Sequence, residues 1–263
     1  MVDMLDLITR SKHRKDVLLL LAKKPMTLSE IKNSTGTSSP VILPEIRKLE
    51  EGGLIERIDG IYHLTEIGNP ITLYLDRLLS IIGLIERNES FWSNHDLRGI
   101  PDDFVDRLVD LNESNIVESN PEEVFEPHKE FMSNLLKAKT IKGVSPIFHP
   151  EYPKAFLALA KAGVNTSLIL NKAVLKRVSK ENKKTLKKWL GFENTKLYAL
   201  DEELKVAFTV TNQFISLGLF TKEGKYDTHF DLLSQSKPAL KWGSDLFSYY
   251  CGRAQEVIDL DKL

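Results

Sequence analysis

The sequence predicts an α+β head followed by a mixed α/β body, with a helical segment between them. Three observations point there. Residues 11–64 carry helix, turn, helix and hairpin signals in close succession. Residues 67–130 carry helical apolar stripes and turn punctuation. From Phe131 onward, short apolar strands alternate with helices, the pattern of a mixed sheet flanked by helices. The expected division is therefore 1–66, 67–130 and 131–263.

Composition narrows the class. The chain has 263 residues, 42% apolar and 28% charged, as in soluble globular proteins with ample material for a core. No apolar run reaches the 18 residues that suggest a membrane span. Met1-Val2-Asp3-Met4 has no basic region leading into an apolar block, so no secretory signal is expected. The single cysteine, Cys251, rules out an internal disulfide or a multi-cysteine metal site, and a reducing cytoplasm is the expected setting. The net charge of −1 hides a partition. Residues 1–64 sum to +1, residues 65–130 to −10 and residues 131–263 to +8. The acidic middle repels phosphates and is expected to face away from nucleic acid, or towards a basic partner surface.

In the head, Ser11 is placed to cap a helix through Asp16–Ala22, with Leu18, Leu21 and Ala22 at helical spacing. Lys23-Lys24-Pro25 ends it, with cations at the negative end of the helix dipole. Thr27 and Glu30 form a capping box for the next helix. Asn33 to Gly36 form the turn. Ser38 or Ser39 caps the third helix, and Pro40 suits its first turn. Ile42, Ile46 and Leu49 should face the core. Pro44 removes a helical hydrogen bond, so a late start or a bend is expected. Gly52-Gly53 closes the helix. Leu54–Ile58 and Ile61–Leu64 are two strands joined by Asp59-Gly60, a tight-hairpin dipeptide.

Helix, turn, helix and hairpin at these lengths make a winged helix-turn-helix, which points to double-stranded DNA as partner. The expected DNA-facing residues are Thr27, Ser38, Ser39, Val41, Glu45, Arg47 and Lys48. On the wing they are Arg57, Tyr62 and His63. A net charge of +1 is a weak electrostatic footprint for such a domain, and a dimer would double its contacts.

Beyond the wing, Ile71, Leu75, Leu78, Leu79, Ile82 and Ile85 form a wide apolar stripe to about residue 89. That helix is expected to pair two subunits, which suits a palindromic operator with half-sites about one helical turn apart. Phe91 to Pro101 reads as a connector with buried aromatics, in which His95-Asp96 is structural. Pro101-Asp102-Asp103 caps a helix carrying Phe104, Leu108 and Leu111. Asn120-Pro121 and Glu126-Pro127 punctuate the segment.

In the C-terminal portion the predicted strands are Ile141–Ser145, Val164–Leu170, Leu197–Leu200, Val206–Val210 and Phe214–Phe220. Predicted helices run from Pro153 to Ala162 and over the lysine-rich stretch Lys172–Lys188, and a last one opens at Pro238. Aromatic and polar groups near the late strands and last helix, Phe208, Trp242, Tyr249, Tyr250 and Arg253, are the expected ligand-binding residues. The lysine-rich helix is expected to be a solvated face or a partner for the acidic middle.

The whole resembles the archaeal methanogenesis regulatory protein family. The likeness lies in Ser39-Pro40 through Leu54-Ile55, Trp92 to Pro101, Ile141–Pro146, Gly163-Val164 to Leu170, Phe208-Thr209 through Phe220, and the terminal helix. It implies a cytoplasmic transcription regulator with a winged helix, a helical linker and a C-terminal regulatory domain. The C-terminal portion also looks like a phospholipase D half-fold. That chemistry needs a histidine, a lysine two residues on and an aspartate after four more. The one His-x-Lys is His13-Arg14-Lys15, in the head, with Leu20 where aspartate is required.

Other catalytic signals are missing: no G-x-S-x-G, P-loop, dinucleotide fingerprint or H-E-x-x-H is present. His128, His149 and His229 are scattered and read as surface or hydrogen-bonded residues, and Cys251 as buried and inert. No cofactor and no metal is expected, and no enzymatic activity. The leading expectation is a homodimeric DNA-binding regulator controlled by a small effector. The rivals are a regulator acting through protein–protein contacts without a ligand, and a phosphodiesterase-like enzyme fused to a winged helix.

Overall fold

A computed structural model of the chain describes residues 3–118 and 129–260. The turn signals at Asn120-Pro121 and Glu126-Pro127, and His128, lie outside the described residues. The chain falls into two compact units, Met1–Ile82 and Gly83–Leu263.

In the first unit, α1 (Met4–Thr9) and α2 (Lys12–Leu21) precede the short strand β1 (Met26–Thr27). Ser11 Oγ accepts the Arg14 backbone N–H at the start of α2. Next come α3 (Leu28–Thr35) and α4 (Ser39–Glu51). The Thr27–Glu30 capping box opens α3, satisfying backbone donors that a helix start leaves unpaired. α4 runs unbroken through Pro44, so the expected late start does not occur. Strands β2 (Ile55–Ile58) and β3 (Ile61–Leu64) form the hairpin, and β1 pairs with the other edge of β3. Asp59 and Gly60 turn at φ 50° and 83°, the doubly positive turn whose twist matches that of the strands. Val17, Leu18, Ile31, Ile42, Ile46, Leu49 and Leu54 form the buried centre. Helix α5 (Gly68–Arg87) follows the wing.

The second unit opens with α6 (Glu89–Asn94), β4 (His95–Asp96), α7 (Asp102–Val105) and a 3-10 turn at Leu108–Leu111. Phe104, Leu108 and Leu111 are all buried. Residues Ser114–Glu118 then form strand β5, within a segment whose sequence predicts only helix and linker. The remaining elements are α8 (Lys129–Lys137), β6 (Thr140–Ser145), α9 (Tyr152–Lys161), β7 (Asn165–Asn171), α10 (Lys172–Glu181), α11 (Lys183–Leu190), β8 (Thr195–Leu200), β9 (Val206–Thr211), β10 (Ile215–Thr221), β11 (Phe230–Ser234), α12 (Lys237–Cys251) and β12 (Gln255–Glu256). The lysine-rich stretch, expected as a single helix, is therefore two helices that meet at Asn182.

The strands make one mixed sheet in the order β12-β8-β7-β6-β9-β10-β11-β5, with β4 on β10. The β6–β7–β8 ladder is parallel, because α9 and the α10–α11 pair supply the crossovers such a ladder needs. The other pairings are antiparallel. Strand alternation sends side chains to two faces. Phe208, Val210, Ile215 and Leu217 pack on one face with Trp242, Leu246 and Tyr250 of α12. On the other, Leu170, Leu197 and Ala199 pack with Val174, Leu186 and Trp189. Trp242 donates its indole N–H to the Phe104 carbonyl at 3.1 Å, and the Tyr250 hydroxyl donates to the Gly99 carbonyl. Two polar atoms of α12 thus fasten residues 99–104 to the core.

Candidate nucleic-acid interface and ligand cavity

Burial of Ile42, Ile46 and Leu49 fixes the rotation of α4 and leaves a ridge outside. Val41, Arg47 and Lys48 stand exposed on it, with Ser38 at its N-terminal end. Ser38 occupies the cap position, yet its hydroxyl makes no capping bond. Ser39 is half-buried. An exposed valine beside arginine and lysine offers a methyl surface for thymine and donors for guanine or phosphate.

Glu45, expected on the same ridge, does other work. It accepts Arg14 Nη1 at 2.8 Å and Lys48 Nζ at 2.9 Å. Arg14 is itself buried and donates to the carbonyls of Leu7 and Asp6. Burial pushes the Glu45 carboxyl up. The hydrogen bonds from Lys48 and Ser11 and the charges of Arg14 and Lys48 outweigh it, and the net shift is downward. Glu45 therefore braces α2 against α4.

Two more expected contacts are engaged internally. Thr27 Oγ1 is taken up by Glu30 in the capping box. The bonds from the Thr27 backbone and hydroxyl, with help from Lys24, hold the Glu30 carboxyl down at about 2. Tyr62 is 3% exposed and belongs to the core, so it does not present its ring to a duplex. Its position on β3 points inward, and Arg57 on the paired strand lies over the ring at 5.5 Å. Arg57 is exposed on the wing and His63 half-exposed.

The second unit contains a cavity of about 180 Å³ between the sheet and α9–α11. Its floor is small: Gly143 and Ser145 of β6, Ala207 and Thr209 of β9, and Ser216 and Gly218 of β10. Tyr152, Tyr226 and Asp231 border one part, while Val174, Leu186 and Trp189 line another. Burial, and then the charge of Asp231, push the Tyr152 phenol up to about 12. The same two causes, in the same order, raise Tyr226 further.

Of the five residues expected to bind a ligand, only Phe208 borders this cavity. Its ring belongs to the opposite core, 6.3 Å from that of Tyr250. Trp242 and Tyr250 are core residues whose polar atoms are engaged, as described above. Tyr249 and Arg253 lie at the surface, with the guanidinium over the Tyr249 ring and paired to Glu202 at 2.7 Å. The five do not converge because α12 turns its large aromatics towards the sheet face remote from the cavity. The signal for the cavity is present in the sequence as alternation: Ile215-Ser216-Leu217-Gly218-Leu219 and Ala207-Phe208-Thr209-Val210 place large residues on one face and small ones on the other.

His95, read as structural, is buried. Its Nδ1 contacts the Phe91 carbonyl at 2.6 Å and its Nε2 contacts Asp227 at 3.1 Å. Cys251 is free and half-buried rather than fully buried. Among the described residues, no group of three or more His, Cys, Asp or Glu could hold a metal ion. No helix among them is long and apolar enough to cross a membrane.

A winged head and a separate mixed-sheet unit with a cavity define the class of build. Two family models fit it: the N-terminal domain of methanogenesis regulatory protein FilR1 matches residues 2–83, and its middle domain matches residues 124–253. The chain belongs to the methanogenesis regulatory protein FilR1 family. It is 28% identical over 265 residues to methanogenesis regulatory protein FilR1 of Methanothrix harundinacea (strain 6Ac), covering 99% of this chain and 59% of that relative. The chain thus spans about three fifths of that relative's length. An HTH-type transcriptional activator, ArnR1 of Sulfolobus acidocaldarius, is 34% identical over 88 residues, covering 33% of each protein. Among solved structures, the archaeal chromatin protein TrmBL2 covers 94% of this chain and 94% of its own, at 13% identity and a TM-score of 0.45. That level of likeness assigns no property to this chain.

Proposed function

We propose that the chain is a DNA-binding transcription regulator that acts as a homodimer and responds to a small molecule in its C-terminal cavity. The observation that carries this is the α4 ridge: Val41, Arg47 and Lys48 outward, with Ile42, Ile46 and Leu49 fully buried behind them. The functions named for the two relatives, a methanogenesis regulator and a transcriptional activator, support it. In this reading residues 1–66 are the DNA-binding head, 67–130 connect and pair, and 131–263 sense. Ser38, Ser39, Val41, Arg47, Lys48, Arg57 and His63 face the duplex.

The pairing element is α5. Tyr74, Leu78, Ile82 and Ile85 are large apolar residues exposed along it. At 3.6 residues per turn they fall within roughly a quarter of its circumference, and a second copy is the occupant that covers them. The body is a sensor built on a phospholipase D-like half-fold without the catalytic groups, and it works in the cytoplasm. The sole His-x-Lys lies on α2, where Arg14 between the two is buried in the head's own core.

The test is selection of bound duplexes from a random pool, followed by footprinting on the selected sequence. A palindromic site with half-sites one or two helical turns apart is the expected result. Retention of no duplex above a scrambled control overturns the reading.

A further inference from the structure

We propose that the outward side of helices α10 and α11 is a second phosphate-binding surface, which grips the backbone of double-stranded DNA without reading its sequence. This rests on the reading of the chain as a DNA-binding regulator and deepens it. The head selects a site, and this face adds attraction that any duplex satisfies.

Pattern comes first. Lysine recurs at every fourth position through Lys172, Lys176, Lys180, Lys184 and Lys188. Burial of Val174, Leu175 and Val178 fixes the rotation of α10, and burial of Leu186 and Trp189 fixes that of α11. At about 100° per residue, Lys176 and Lys180 fall opposite the buried side of α10. Lys184 and Lys188 fall opposite that of α11 in the same way. All four are exposed, and none makes an ion pair or hydrogen bond among the described residues. The other cations of the stretch have partners. Lys172 pairs with Asp201, Arg177 pairs with Glu181 and lies over the Phe148 ring, and Lys183 and Lys187 are engaged as well. Like charges one turn apart destabilise a helix, and a glutamate at either position would relieve this. Yet Glu181 is the one acid within α9, α10 and α11, against ten lysines and arginines. A face that only keeps a protein soluble intersperses both signs.

The kind of partner follows from what else the face carries. No large apolar side chain is exposed on α9, α10 or α11. A folded protein partner needs aromatic or aliphatic anchors, and lysine is depleted where such partners meet. A membrane surface needs apolar side chains to insert, and the apolar sides of these helices are already packed in the core. A duplex needs neither. It presents one negative charge per about 1.7 Å of its axis, so lysines about 6 Å apart along a helix meet phosphates in any register. Lysine is a point charge on a flexible stem and suits such contacts, which require no fixed geometry. The charge balance of the chain agrees. Residues 1–64 sum to +1, whereas α9, α10 and α11 together sum to +9. The capacity to displace counterions from DNA is therefore concentrated outside the head.

The test compares the full chain with a variant carrying Lys176→Gln, Lys180→Gln, Lys184→Gln and Lys188→Gln. Each is titrated by fluorescence anisotropy over a salt series against the selected duplex and a scrambled one. The slope of log affinity against log salt should fall by about 3.6 per bound chain, four phosphates at about 0.9 each. The fall should be equal on both duplexes, since phosphate contacts carry no sequence information. Arginine at the same four positions should restore the parent slope. A second measurement needs no variant: acetylation of lysines in the parent chain, read by mass spectrometry. The scrambled duplex should slow labelling of these four. An unchanged slope, or labelling indifferent to duplex, overturns the proposal. A glutamine variant that keeps the parent slope but loses mass in light scattering assigns the face to the acidic stretch of a second copy. One that keeps the slope but loses binding to phosphatidylserine vesicles assigns it to a membrane. Either outcome also overturns the proposal. The two readings fail separately. If the scrambled duplex binds through these lysines and selection yields no preferred site, this surface stands and the head's role as reader falls. If selection yields a site while the four lysines affect neither slope nor labelling, the head stands and this surface falls.

Discussion

Single residues decide the chemistry at both ends of this molecule. Arg47 and Lys48 stand exposed on α4, while Glu45 between the helices is spent on Arg14. Replacing both cations by alanine should weaken duplex binding and lower the slope of log affinity against log salt by about two, one for each phosphate that is no longer neutralised. Fluorescence anisotropy across a salt series measures this, and an unchanged slope assigns the phosphate-binding role to another surface. In the second unit, Asp96 is held by the Arg98 guanidinium and backbone N–H, which bring its carboxyl down from 3.8 to about 2. The unfolded chain then binds more protons than the folded one between these values. Stability from this pair is therefore full above about pH 4 and is lost as pH falls towards 2. Denaturant titrations from pH 6 to about pH 2 should show that acid slope, and Asp96→Asn should flatten it. Tyr62 shows what a residue list from sequence misses. An aromatic on a wing reads as a DNA contact until the register of β3 places it inward beneath Arg57.

At the level of elements, legibility follows sequence locality. The capping box, the Asp59-Gly60 turn and the apolar spacing of α4 are written in consecutive residues, and the structure forms each of them. Strands β4, β5, β11 and β12 are not legible: each is two to five residues long and is defined by a partner far along the chain, such as Phe230 against Glu118. The cavity escapes sequence reading for a related reason. A floor of small residues is recognisable only once β6, β9 and β10 are known to be neighbours. The ligand set expected from the aromatic content of α12 does not converge because large aromatics are what a central core helix needs. Helix α5 carries the element-level prediction. Leu78 is 53% exposed on the apolar stripe, and Leu78→Asp should halve the mass seen by light scattering. With the two heads no longer linked, operator affinity should fall by about a hundredfold. A variant that keeps the mass of the parent moves the pairing surface elsewhere.

The molecule as a whole has separate apolar cores, one in Met1–Ile82 and others in Gly83–Leu263. Units with their own cores unfold as their own cooperative blocks. Calorimetry should therefore resolve two transitions. Ile46→Ala, at a fully buried site, should lower the one belonging to the head by about 2–5 kcal/mol of stability. Trp242→Ala, also at 0% exposure, should lower only the other, by about 3–5 kcal/mol. A single transition shifted by both changes would contradict separate cores. The position of α12 in the order of synthesis has a further consequence. The buried centre of the head is supplied by the first third of the chain, so the head is ready while the ribosome is still far upstream of codon 237. The large sheet has no such luxury. Its greasiest side waits for Trp242, Leu246 and Tyr250, which leave the exit tunnel last of all its cover. During that interval the nascent polypeptide shows a wide sticky surface to its surroundings, and slowing translation there prolongs its dependence on chaperones.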